Sequence, residues 1–307
     1  MDIAIALPGH VRSFDPARIP VWARAVEECG FPTFAVGDRP SWSTPEPLTA
    51  LAAAAAATTR VGLLSSVLLA PVHTHAGLFA TAAATVDRIA GPGRLRLGLA
   101  PGAREADYAG SPTPFARRGR ALDAWLEDVR ATWAAASSGS SGALGPAPVT
   151  PGGPPLLFGG EVEATVRRVT RHGTGWIGSA GDPAGFAAFA GRLRTAFTEA
   201  GRTDRPHCLV SATVALTSSG PGTGVDAVGE YYADFGREFG EMAVAMTVTT
   251  PAALRALVAE SAAAGADGIV LTLNDPDPAS VAVVRDALPE HAVAPPPERP
   301  RAAVPGR

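Results

Sequence analysis

Between two Ala-rich stretches lies the run Thr58-Thr59-Arg60-Val61-Gly62-Leu63-Leu64-Ser65-Ser66-Val67-Leu68-Leu69-Ala70-Pro71, and it leaves the chain little choice of architecture. A short, almost continuously apolar run closed by Pro reads as a strand covered on both faces, the situation of a parallel sheet flanked by helices. Ser65 and Ser66 place two hydroxyls near the C-terminal end of that strand. Where strands and helices alternate around a barrel, functional groups gather at that end.

The same unit repeats along the chain. Ile3 to Leu7 reads as a first buried strand, and Thr33 to Gly37 as a second. Asp15-Pro16 opens the helix between them, with Asp as N-cap and Pro at the first position. Its apolar face is Ile19, Trp22, Ala23 and Val26, and Gly30 stops it. Leu48 through Thr58 reads as a helix whose Ala content lets it lie close on the sheet. Leu78, Ala82, Val86 and Ile89 mark the helix after the third strand, and Arg94 to Leu99 is the fourth strand. Leu122, Leu126, Val129 and Trp133 stripe the helix that follows, before a Ser-, Gly- and Pro-rich break from Ala134 to Gly153. Pro155 to Phe158, Trp176 to Gly178, His207 to Leu216 and Gly268 to Leu273 supply strands five to eight, with helical patterns between them.

Eight strands alternating with helices over most of 307 residues match a (β/α)8 TIM barrel, an α/β single domain over residues 1–288. A loop at about 136–153 is expected to be mobile, and an insertion falls at about 217–247 with an amphipathic stretch around Tyr231 to Phe239. Residues 289–307 form a Pro- and Arg-rich tail expected to be disordered. A doubly wound sheet would want Gly-x-Gly-x-x-Gly after the first strand, and Pro8-Gly9-His10 is not that turn.

Composition narrows the chemistry. All 26 basic side chains are Arg, so Schiff-base catalysis, pyridoxal attachment and a Lys-bearing phosphate loop are excluded. An anion must be met by Arg, by backbone N–H groups or by helix N-termini. A net charge of −3 gives no reason to expect nucleic acid. No apolar run has the length of a membrane span, and the start of the chain has no signal-peptide pattern, so the expectation is a cytoplasmic protein without a membrane partner. Cys29 and Cys208 are too few for a disulfide framework, and His73 and His75 are two apart, the spacing of neither a helical zinc pair nor a closed site; no metal is expected.

On a barrel, the strand ends bring to one rim His10, Asp38 with Arg39, Ser65 and Ser66, Gly102 to Asp107, Gly159-Gly160, Ser179 to Asp182, Thr213, and Asn274 with Asp275. Asp38-Arg39-Pro40 reads either as a capping turn or as a carboxylate oriented by its neighbouring guanidinium. His10 reads either as a loop residue or as a rim acid. Gly159-Gly160 and Ser179-Ala180-Gly181 each precede a helix, and small residues there let backbone N–H groups approach a phosphate. Trp42, Trp125, Trp133 and Trp176 suit either the core or stacking on a ring.

An ordered set of segments resembles the bacterial luciferase-like monooxygenases and their deazaflavin-dependent relatives. It comprises Ala35-Val36-Gly37-Asp38, Leu48 to Ala54, Thr59 to Gly62 with Ser66-Val67-Leu68, Ala83 to Ile89, and Gly93 to Leu99. It continues with Pro101 to Tyr108, Phe115 to Gly119, Pro155 to Gly160, Gly173 to Ile177 and Ala264 to Val270. The resemblance implies an oxidoreductase that binds coenzyme F420 for hydride transfer, or reduced FMN for monooxygenation, and acts on a small organic molecule. The Arg-rich composition, which suggests an actinobacterial source, and the short chain tilt the expectation toward F420. By resemblance, Ser66 and Val67 are joined by a non-proline cis peptide under the ring system, and Gly159, Gly160, Ser179, Ala180 and Gly181 cradle the phosphate. Gly102 and Trp176 are placed at the same coenzyme site. Asp38 matches an acidic residue near the ring, but Arg39 stands where deazaflavin enzymes often have His, which leaves His10 or Glu105 to handle the proton. The resemblance also implies a homodimer. The alternatives are a flavin-binding relative without turnover, or a coenzyme-free isomerase or lyase on the same barrel.

Overall fold

Each buried run finds a parallel partner on both sides. In the computed structural model, which describes residues 1–73 and 75–289, the strands are β1 (Asp2–Ala6), β2 (Thr33–Val36), β3 (Gly62–Leu69), β4 (Leu95–Ala100), β5 (Leu156–Gly159), β6 (Gly175–Ser179), β7 (His207–Val214) and β8 (Gly268–Leu273). They close into a barrel in sequence order, with β1 paired to β8. The helices are α1 (Ile19–Glu28), α2 (Pro47–Ala57), α3 (Ala76–Ala90), α4 (Arg118–Ser137), α5 (Glu163–His172), α6 (Pro183–Glu199), α7 (Gly224–Tyr232), α8 (Arg237–Ala245), α9 (Pro251–Ala263) and α10 (Ala279–Ala287). Among the described residues no helix is long and apolar enough to cross a membrane.

Two cores follow from the strand pleat. Leu95, Leu97 and Leu99 of β4 face the helices and join a large outer core. Arg96, on the other face, donates to Thr33 Oγ1 at 3.0 Å. The inner core is small: Ala4, Ala6, Ala35, Leu64, Leu157, Ile177, Leu209 and Val270 fill the barrel, with Val67 against them. Alanines on β1 and β2 keep that side of the interior narrow.

Most helix faces match the apolar stripes. The α3 stripe does not. Leu78 and Ile89 are 64% and 47% exposed, and Ala82 is also exposed, whereas Phe79, Ala80, Ala83, Val86 and Ala90 are buried. Alanine carries no bulk beyond Cβ, so a helix seated close on a sheet prefers its Ala face there, and counting only large side chains misplaces the stripe. Helix α4 runs on to Ser137, past the expected break at Ala134, because Ala134, Ala135 and Ala136 are strong helix formers. The segment beyond is tied down: Thr150 donates from N and from Oγ1 to Asp87, both at 2.8 Å. The tail expected to be disordered lies, from residue 290 on, outside the described residues.

Candidate functional site

The barrel mouth is shaped first by an irregularity in β3. Its register against β4 shifts between Ser65 and Leu68, and the Ser66–Val67 peptide is cis. Ser65 Oγ donates to Gly98 O at 2.9 Å. A Cβ on Gly98 would lie 2.3 Å from the Ser65 carbonyl oxygen, so only glycine lets β4 pass this close. Ser66 and Val67 thereby line a cavity of about 840 Å³ at the C-terminal rim.

Two turns border the same cavity. After β5, Gly160 has φ +97°, a conformation that favours glycine, and its carbonyl accepts the Trp176 indole N–H at 2.9 Å. After β6, Ala180 N donates to Ser211 O at 3.0 Å, and Gly181 N to Ser179 Oγ at 3.4 Å. Asp182 caps α6 by accepting from Gly185 N at 2.9 Å. Ser211 and Thr213 of β7 complete the hydroxyl-bearing side. The glycine and serine turns thus stand together, ahead of α5 and α6, with room for the ring and phosphate of a flavin-type coenzyme: Gly159 and Gly160 leave open the space that side chains would fill.

The opposite wall comes from the insertion. Helix α7, a single turn at Ala233–Phe235 and α8 fold over the rim, and the chain rejoins the sheet where Val248 N donates to Thr213 O at 2.9 Å. The insertion gives the cavity Tyr232, Phe239, Met242 and Met246. Burial raises the pKa of the Tyr232 phenol, so it stays a protonated hydrogen-bond donor at neutral pH.

Asp234 fastens this insertion to the barrel. Arg39 Nη2 bonds Asp234 Oδ2 at 2.6 Å, Arg104 Nε lies 3.1 Å from the same oxygen, and Arg39 Nη1 donates to the Tyr231 carbonyl. The Arg104 guanidinium also lies 4.3 Å from the Phe235 ring centroid and 4.8 Å from that of Tyr231. These contacts make the pair a clasp.

The expected acids are placed elsewhere than the cavity wall. Arg39 belongs to the clasp and is 4% exposed. Asp38 Oδ2 accepts from Leu69 N at 2.9 Å and lies 3.2 Å from His73 Nε2. His73, read from the sequence only as half of a rejected metal pair, therefore supplies an imidazole beside Asp38 from the segment after β3. The only signal for it was its place just beyond Pro71. His10 is buried against Tyr231, ring centroids 4.2 Å apart, with Nδ1 at 2.8 Å from Asn274 Oδ1. Asn274 Nδ2 donates to Val214 O at 3.1 Å, which leaves Oδ1 as acceptor and assigns the His10 proton to Nδ1. Burial lowers the His10 pKa from 6.5 to about 4, with the Arg104 and Arg39 charges acting the same way and the Asn274 bond opposing. Glu105 is exposed on the turn Glu105–Tyr108 and does not border the cavity. Gly102, φ +75°, packs under Leu69 and its carbonyl accepts from Arg118 Nε at 3.0 Å; it does not line the cavity, although its neighbour Ala103 does. Trp176 is fully buried between Phe186 and Phe189. It faces the helices because residues alternate along β6, so it supports the Gly160 turn from behind instead of stacking on a ligand. Among the described residues Glu161 is the only carboxylate lining the cavity, no Arg or His lines it, and no group of three His, Cys, Asp or Glu is placed to hold a metal.

Residues 1–221 match a family described as luciferase-like monooxygenase. An uncharacterised protein of Mycobacterium tuberculosis is 32% identical over 160 residues, covering 50% of this chain and 54% of that protein, and a Mycobacterium bovis protein matches equally. The chain thus spans about half the length of the curated relatives it matches. Among solved structures, a monooxygenase of Streptomyces bottropensis superimposes with TM-score 0.75 at 20% identity, over 94% of this chain and 97% of the other. A coenzyme F420-dependent tetrahydromethanopterin reductase of Methanopyrus kandleri gives 0.69 at 17%, over 94% and 99%. The FMN-bound oxygenating constituent of 3,6-diketocamphane monooxygenase of Pseudomonas putida gives 0.71 at 16%, over 94% and 96%. At these identities the likeness is one of fold.

Proposed function

Because the chain belongs to the luciferase-like monooxygenase family, we propose that it is an oxidoreductase that carries a flavin-type coenzyme, preferably F420 over FMN, in the rim cavity and acts on a small molecule as a homodimer. The observation that carries this reading is the meeting of three features at one cavity: the irregular Ser66–Val67 segment, the Gly159-Gly160 turn and the Ser179-Ala180-Gly181 turn. When bound, the coenzyme supplies the hydride or oxygen chemistry.

The chain's own residues bind and orient. Ser66 and Val67 support one face of the ring system. Backbone N–H groups after β5 and β6 meet the phosphate, a role that falls to them because among the described residues no Arg borders the cavity. The Tyr232 hydroxyl offers a hydrogen bond to a substrate oxygen, and Phe239, Met242 and Met246 exclude water. Hydride transfer to a carbonyl needs one proton besides orientation, and the serine, threonine and Tyr232 hydroxyls of the lining can supply it. The short chain and Arg-rich composition tilt the choice toward F420.

Absorbance titration of the purified protein with F420 and with FMN tests the reading. Saturable F420 binding tighter than FMN binding is expected. Tight FMN binding without F420 binding overturns the choice of coenzyme, and binding of neither overturns the reading. A second reading, a coenzyme-binding relative without turnover, is favoured by the internal pairing of Asp38, Arg39 and His10. Coenzyme turnover with any substrate or electron acceptor removes it.

A further inference from the structure

The cavity has two unlike walls. One is backbone, glycine and hydroxyl, from β3 and from β5 to β7. The other is the underside of the insertion, where Tyr232, Phe239, Met242 and Met246 present ring, thioether and methyl groups. Phe239, Met242 and Met246 are 40%, 47% and 46% exposed, so they face the cavity and the solvent at its mouth without being covered by other protein. Apolar surface left open beside a cavity marks a place where something apolar lands.

We propose that the wall formed by α7 and α8 is the substrate subsite, and that it takes an uncharged, apolar small molecule. Charge decides the class. Arg39 and Arg104 hold Asp234 and lie against aromatic faces, Arg237 on α8 pairs with Glu241, and none of the three borders the cavity. Glu161, the one carboxylate, belongs to the β5 side among the described residues. A carboxylate or ammonium placed under α8 would lose its hydration and, among the described residues of that wall, touch no opposite charge, a large penalty. An uncharged ring or chain would instead exchange water for methionine and aromatic contacts, and its oxygen, if it has one, would meet the Tyr232 hydroxyl. The volume of about 840 Å³ lies toward the upper end of the ~300–1,000 Å³ typical of small-molecule sites, so a second molecule fits beside a coenzyme head group. Unbranched methionines adapt to several shapes, so the subsite selects by charge more strongly than by outline. The inference rests on the coenzyme reading only for which wall is left to the substrate.

Three probes with one ring test it: 2-naphthalenemethanol, 2-naphthoate and 2-naphthylmethylammonium, titrated calorimetrically into the full chain. The alcohol is expected to bind at least tenfold more tightly than either ion. Met242→Asp is expected to weaken the alcohol at least tenfold, while Met242→Leu restores it. Circular dichroism confirms that both variants fold; if Met242→Asp does not, Phe239→Ala, with a several-fold loss for the alcohol alone, replaces it. Equal binding of naphthoate and the alcohol, no binding of any probe at millimolar concentration, or unchanged alcohol affinity in Met242→Asp would each overturn the proposal. Loss of coenzyme binding in the wild type with alcohol selectivity intact would overturn the coenzyme reading and leave the subsite standing.

Discussion

The two sides of the barrel mouth are built on opposite plans. On the side of β1 to β4, charged and polar side chains are abundant and nearly all engaged with one another: Asp38 with His73, Arg39 and Arg104 with Asp234, His10 with Asn274. On the side of β5 to β7, the cavity-facing rim is mostly glycine, alanine, serine and threonine, with Glu161 the one carboxylate among the described residues. The difference teaches that charge at a barrel rim does not by itself mark chemistry. Here the charged side fastens a lid, and the plain side faces the cavity.

The comparison is broken most severely at Gly160. Its φ of +97° and the space kept clear beside Thr165 both disfavour a branched side chain. Gly160→Val is expected to weaken coenzyme binding by about 100-fold or more, read by absorbance titration. Unchanged affinity would show that the backbone side holds no phosphate.

The charged side is tested next. Asp234→Ala leaves two guanidiniums of the clasp without their shared carboxylate and is expected to cost about 2–3 kcal/mol in urea unfolding, with Asp234→Asn losing less. An effect no larger than that of an ordinary surface ion pair would mean that the insertion is held by its aromatic contacts alone.

His10 gives a pH signature. Its pKa falls from 6.5 to about 4 on folding, chiefly through burial, so between those values the unfolded chain holds a proton that the folded chain does not. Stability therefore falls as pH drops from 6.5 toward 4. This residue alone should account for about 2 kcal/mol of loss between pH 7 and pH 5. Denaturant unfolding of His10→Gln at the two pH values should show that increment missing.

The smallest effect is expected at Glu105. Exposed on its turn and away from the cavity, Glu105→Gln should leave stability within about 0.5 kcal/mol and turnover within about twofold. A large loss of turnover would return the proton chemistry to the charged side.

Periodicity carried most of the fold. The uninterrupted run through Leu63 and Leu64, the stripe Leu122, Leu126, Val129 and Trp133, and the Asp15-Pro16 helix start each have one physical reading, and the barrel follows from their order. The α3 face was misread because Ala carries little weight in a hydrophobic count yet sits closest to the sheet. At the site, Gly159, Gly160, Ser66 and Ser179 were legible because strand ends of a barrel share one rim. The roles of Arg39 and His10 were not, since nothing local says that Tyr231 and Asp234 return from nearly 200 positions away (|i−j| of 192 and 195 from Arg39) to meet them. Trp176 was misplaced for a simpler reason: one residue of strand phase separates the cavity from the helices.

A Cβ on Gly181 would lie 2.3 Å from the terminal methyl of Met246, so the turn after β6 packs against the insertion with no room for a side chain there. A molecule in that turn that displaced this methyl would shift the free energy of α8 by the amount that α8 shifts its own affinity, since such coupling is reciprocal. Occupants of the two walls would then act as heterotropic effectors of each other.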